Sequence, residues 1–159
     1  MPDRDGATAA PYAFSLSDSA HERPTEFEST VVERAARIRA VHPEVGATLT
    51  FEGRVRNQHN GRSVDRLSYS SYEHLADSEG VAILREAISQ FGLQFAHAIH
   101  RTGDLQVGDL AVWVHVGAAH RAATFDGCRY VIEEIKRRLP VWKHEFYDDG
   151  TSVWVNGAG

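Results

Sequence analysis

The sequence predicts an α+β fold, a mixed or largely antiparallel sheet with hairpins and packed helices in a single domain. Three observations predict it. Short β-patterned runs and helical runs are interspersed, without the strict strand–helix alternation of a doubly wound sheet. Asn60-Gly61 and Asp149-Gly150 are hairpin-turn dipeptides set between β-patterned runs. No internal repeat or linker divides the 159 residues, a length that suits one domain with a sizeable core.

Residues 1–11 are small, polar and proline-containing, and are expected to be disordered. That leaves 12–155 as the folded domain and 156–159 as a C-terminal tail. Tyr12, Phe14 and Leu16 alternate with small or polar residues, which predicts a strand over 12–17. Residues 18–28 read as a charged loop. Thr30 and Glu33 have capping-box spacing, so a helix is expected from there to about Val41, ended by Pro43 and Gly46. Residues 46–55 are rich in β-formers and read as a strand. The run 64–72 reads as its hairpin partner, with Arg54, Arg56, Asn57, His59 and Arg62 in the connecting loop.

Helical spacing over 73–91 uses Leu75, Ile83, Leu84 and Ile88, with Gly80 a weak point. A strand is expected over 94–100, a turn at Thr102-Gly103-Asp104, and a strand over 110–116 around Trp113 and His115. The next helix starts at His120 and stops at Pro140. Phe125, Cys128, Ile132, Ile135 and Leu139 are spaced as one buried face of it. Strands at 141–147 and 151–155 close the chain.

Composition excludes some functions. The formal net charge of −5 argues against general nucleic-acid binding. No apolar run approaches the roughly 20 residues of a membrane span. The N-terminus has no signal-peptide pattern and the one cysteine cannot form an internal disulfide, so a cytoplasmic protein is expected. Cys128 lies on the buried stripe and reads as packing. His97 and His100 fall on opposite faces of their strand, and no metal-binding frame is present, so neither a metal nor a cofactor is expected. GxSxG, Walker A and GxGxxG motifs are missing.

The basic residues beside turns and element ends are the candidates for chemistry: Arg54, Arg56, Arg121, Lys136 and Lys143. Arginine grips phosphate with a planar fork, and a desolvated lysine serves as base or nucleophile. His120 precedes Arg121 at a helix start, where unpaired N–H groups favour an anion. Arg121 and Lys136 lie fifteen residues apart on one helix, about 22 Å along its axis. One small ligand cannot easily touch both, so either one of them is at the site or the site forms where two copies meet.

Five stretches in order, GATLTFEGRVRNQHNG, VDRLSYSSYEHLA, HRTGDLQVGD, HRAATFDGCRYVIEEIKRRLPVWKHE and DGTSVWV, resemble the large, catalytic subunit of molybdopterin synthase over residues 46–155. The resemblance implies a sulfurtransferase of molybdenum cofactor biosynthesis. Its substrate would be cyclic pyranopterin monophosphate (precursor Z), and its product the dithiolene of molybdopterin. Sulfur would arrive as a thiocarboxylate on the C-terminal Gly-Gly of a small ubiquitin-like subunit, with two large subunits at the centre of a heterotetramer. Carried over by motif, Arg54, Val55 and Arg56 would line the pterin site. His120 and Arg121 would hold the phosphate from the neighbouring subunit. Lys136 and Lys143 would be catalytic and flank the thiocarboxylate, with His144 and Glu145 adjoining. The sequence departs from the family pattern at Ser70, Leu75 and Thr124, where Glu, Met and Ala are usual. The competing reading is a non-catalytic module that only receives a Gly-Gly tail, and it does not require all these charged residues together.

Overall fold

The computed structural model of the chain describes residues 10–155. Of the segment 1–11 expected to be disordered, 1–9 lie outside them, as does the tail at 156–159, while the Pro11 carbonyl accepts from the Ala96 N–H at 2.9 Å. In order, the elements are β1 (Tyr12–Asp18), α1 (Pro24–Ala40), β2 (Ala47–Arg54), β3 (Gln58–His59), β4 (Arg62–Ser71), α2 (Glu73–Phe91), β5 (Phe95–Gln106), β6 (Leu110–Ala118), α3 (Arg121–Arg138), β7 (Val141–Tyr147) and β8 (Ser152–Val155). The strands run β2-β6-β5-β4-β7-β8, with β1 beside β5 and β3 beside β4. All pairs are antiparallel except β1 with β5, so the α+β expectation holds.

The sheet is covered on both faces. On one, Phe27, Val31, Ala35 and Ile38 of α1 pack on Phe95, Ile99 and Trp113. Their spacing of four, four and three is a single helix stripe, and each large side chain so buried contributes roughly 1.5–3 kcal/mol. On the other face, α2 and α3 cover Ala96, Ala98, Val112, Val114 and Val116. Small residues on β5 let these two helices approach. Gly80 is part of that fit, because a Cβ there would collide with the Phe14 ring. The apparent weak point of α2 is a close-packing requirement.

Several expectations are corrected. Residues 24–28 are helical. Pro24 occupies the first turn, and the backbone N–H of Arg23 donates to Glu26 Oε2 at 3.2 Å. The helix therefore starts six residues before Thr30, whose hydroxyl bonds Glu22 instead. Strand 46–55 does not pair with 64–72. β2 pairs with β6 from Ala47↔Ala118, while β4 lies between β5 and β7. The Asn60-Gly61 turn joins only the two-residue β3 to the start of β4, with φ of 50° and 75° as a tight primed turn requires.

The turn expected at 102–104 is not a turn. Gly103 adopts φ 82°, and β5 bends there without ending. Before it β5 pairs with β1 and β6, and after it with β4. Phe125 and Leu75 are exposed, and the buried face of α3 is Thr124, Gly127, Cys128, Val131 and Ile135. Cys128, Ile135 and Leu139 of the expected stripe are buried and Ile132 is partly buried, so the stripe holds except at its N-terminal end, where Thr124 turns inward in place of Phe125.

Candidate active site

A cavity of about 290 Å³ opens where the β4–β7 pair, the last turns of α3 and the segment after β2 converge. Strand alternation supplies one wall. Residues 141, 143, 145 and 147 of β7 share a buried face, and the opposing strand places Tyr69 across from Lys143 and Leu67 across from Glu145. Helix α3 adds Ile132, Ile135 and Lys136, which lie one turn apart or less. Arg54, Val55 and Arg56 form the rim beyond β2, and Gln58 and His59 reach in from the β3–β4 hairpin.

One wall carries a buried charge cluster around Glu145, which is 3% exposed. Its Oε1 lies 3.1 Å from Lys143 Nζ. Its Oε2 accepts from the Tyr147 hydroxyl at 2.7 Å and from His59 Nδ1 at 2.7 Å. Burial by itself would raise the Glu145 carboxyl. The bonds from Tyr147, His59 and Lys143 outweigh it and hold the group below the usual carboxylate range. The Tyr69 phenol is pushed up to about 12, chiefly by burial and also by the Glu145 charge. It is neutral at physiological pH and presents an O–H.

Lys136 differs from Lys143. It is exposed at the cavity edge, and among the described residues no carboxylate pairs with it. These two are the only lysines in the chain, because fifteen of its seventeen Lys and Arg residues are arginine. Both line one cavity. Arginine stays protonated, so only these side chains offer an amine that can give up a proton or bond to carbon. That asymmetry was readable in the sequence, and it is a sharper signal than position beside a turn.

The structure gathers Val55, Arg56, Lys136, Lys143 and Glu145 at the cavity and sorts the remaining candidates elsewhere. The Arg54 guanidinium turns to the other face of the sheet and pairs with Glu28 at 2.7 Å and Glu52 at 2.9 Å, so only its backbone side serves the rim. His144 points away from the cavity. It stacks on Trp154 with ring centroids 4.2 Å apart and an interplanar angle of 17°. Adjacent residues of a strand face opposite ways, so Lys143, His144 and Glu145 cannot all enter one pocket. His120 and Arg121 are exposed at the far end of α3 and do not line this cavity. Their side chains make no hydrogen bond or ion pair among the described residues. From the sequence His59 was named only as part of the hairpin loop, and Tyr69 and Tyr147 were not singled out. They reach the site only through hairpin folding and strand pairing.

Among the described residues no group of three His, Cys, Asp or Glu side chains is placed to hold a metal. No helix among them is long and apolar enough to cross a membrane. Arg137 and Arg138 serve structure. Arg138 bonds Glu79 at 2.6 Å and Glu86 at 2.5 Å, tying α3 to α2.

A mixed sheet covered by one helix on one face and two on the other, with a lysine-bearing cavity against its β4–β7 pair, defines the class. The chain belongs to the MoaE protein family, whose model matches residues 22–138. It is 38% identical over 112 residues to a molybdopterin synthase catalytic subunit from Pyrococcus abyssi, covering 70% of this chain and 75% of that one. It is 40% identical over 157 residues to the protein of the same name from Emericella nidulans, covering 97% and 80% respectively. The crystal structure of molybdopterin synthase from Staphylococcus aureus superposes with a TM-score of 0.70 at 31% identity, covering 76% of this chain and 89% of that one.

Proposed function

We propose that this chain is the catalytic subunit of a molybdopterin synthase. It would transfer sulfur from the C-terminal thiocarboxylate of a small ubiquitin-like subunit to precursor Z, forming the dithiolene of molybdopterin. The observation that carries this reading is the placement of the chain's only two lysines in one cavity of a MoaE-family fold.

The chemistry fits the residues. A thiocarboxylate tail is an anion, and its sulfur bonds to an oxygen-bearing carbon of the pterin side chain as the carbon–oxygen bond there breaks and the oxygen leaves with a proton. The acyl–sulfur bond is then broken by water, which leaves a carboxylate on the tail. Lys143, held by Glu145, supplies a fixed positive charge beside the tail and the anionic intermediates. Lys136, with no acid partner among the described residues, is placed to move protons in the hydrolysis. Arg56 lines the mouth on the pterin side. Arg121 and His120 lie about 22 Å along α3 from Lys136, so a second copy of the chain brings them to the substrate phosphate. This makes the functional unit a homodimer within a heterotetramer, with residues 12–155 as its folded unit and the cytoplasm as its location.

The test is reconstitution of the purified chain with a thiocarboxylated small subunit and precursor Z. Molybdopterin should form, and Lys136→Ala should lower the rate by roughly 10²–10³-fold while the dimer stays intact. Tail binding without product in the unmutated protein would instead establish a module that only receives the Gly-Gly tail.

A further inference from the structure

We propose that His59 is a positioning residue for Lys143, acting through Glu145, and that it latches the β3–β4 hairpin onto the active site. This rests on the function proposed above for Lys143 but not on the identity of the pterin.

The argument starts from the two oxygens of Glu145. Oε1 meets only Lys143, at 3.1 Å. Oε2 receives two bonds of 2.7 Å, one from His59 and one from Tyr147. A carboxylate is planar, so two donors on one oxygen fix the direction of the other. Oε1 then has to face the ammonium. Because a carboxylate can only accept, His59 Nδ1 carries the proton of this bond. Lys143 is itself 6% exposed, so its ammonium depends on the oriented Glu145 counter-charge for its place at the cavity wall.

The two anchors of Oε2 come from different parts of the chain. Tyr147 is on the same strand as Glu145, two residues away. His59 is eighty-six residues away in sequence, on the hairpin that forms the cavity rim. The hairpin tip is held a second time, on the same tyrosine. The Arg62 guanidinium lies 3.6 Å over the Tyr147 ring and pairs with Asp149 at 3.2 Å. Docking the hairpin and aiming Lys143 are therefore one event.

The chain's lysine content makes the test clean, because Lys136 serves as an internal reference for Lys143. The full-length protein is labelled with limiting acetic anhydride, and each lysine's rate is read by peptide mass spectrometry. His59→Ala should raise the labelling of Lys143 by roughly tenfold relative to Lys136, the loss expected for one bond in a charged network. His59→Gln, which keeps an N–H donor, should restore protection. In the reconstituted reaction His59→Ala should lower kcat with little change in KM for precursor Z, again with rescue by Gln. Tyr147→Phe should act in the same direction, and its effect should be non-additive with His59→Ala because both act on Oε2.

Unchanged Lys143 labelling in a folded His59→Ala variant would overturn the proposal. So would equal rises at both lysines, or equal losses in the Ala and Gln variants, which mark a general loosening. If the unmutated chain made no molybdopterin, the functional reading would fail, and the labelling ratio would still decide the role of His59.

Discussion

The molecule buries titratable groups in two regions, by opposite means. Around Glu145 the charges are kept and every oxygen of the carboxylate is satisfied by Lys143, His59 and Tyr147. Across the sheet core, His97, His100 and His115 are at most 2% exposed and their charge is suppressed. Burial, and secondarily the nearby Arg34, His115 and His42, push the His97 imidazole down to about 3. Burial pushes His100 and His115 down to about 4, with Arg39 adding to the effect on His115. His100 and His115 each leave Nε2 without a partner. A charged ring there would be a buried cation with nothing opposite it. One region holds charge by pairing it at the cavity wall, and the other packs neutral aromatic rings within the sheet core.

The largest expected effect separates the regions by pH. A histidine whose folded pKa lies below its unfolded value of about 6.5 is protonated first in the unfolded chain, so acid favours unfolding. Stability from the three imidazoles is complete above that value and is lost as the pH falls toward 4. Between pH 7 and pH 5 the loss is on the order of 2 kcal/mol for each ring that stays fully buried. Urea unfolding at the two pH values measures it, and equal midpoints would mean that the rings are not held neutral. Glu145 is also shifted down, but for the opposite reason: its bonds favour the charged form, so its contribution is present above the ordinary carboxylate pKa and is lost only below the histidine window, as the pH falls through the folded value.

Next in size is Glu145→Gln, which leaves the Lys143 ammonium buried without its counter-charge. A loss of about 3–5 kcal/mol is expected in chemical denaturation. A loss well under 1 kcal/mol would show that water reaches the cluster and that it behaves like a surface pair. The smallest effect concerns a third kind of buried group. Burial pushes the Cys128 thiol up to about 11, away from the reactive thiolate form. Cys128→Ala should keep turnover and lose about 1–2 kcal/mol of stability through the small void it leaves. Loss of activity in a well-folded variant would give the thiol a part in sulfur transfer.

Much of the fold was legible because its signals are local. Pro140 ends a helix, and Asn60-Gly61 and Asp149-Gly150 turn the chain where dipeptide chemistry says they should. Errors arose where a local signal had two readings. Arg23 replaced the usual Ser or Thr before Pro24, so the first helix was begun too late. Gly103 looked like a turn and proved to be a bend inside β5. Of the residues named from the sequence, Lys136, Lys143, Arg56 and Glu145 line the cavity, whereas His144 was grouped with them although alternation turns it to the opposite face.

The sequence by itself determined the element types, the two hairpin turns, the family and the lysine pair, because each depends on residues within a few positions or on a motif read in order. The tertiary structure decided that β2 lies beside β6 and not β4. It turned Phe125 out of the buried face of α3, and it brought His59 to a carboxylate eighty-six residues away. Those outcomes depend on which apolar faces meet and on backbone pairing across the sheet. A linear pattern carries the period of each element but not the partner it will pack against.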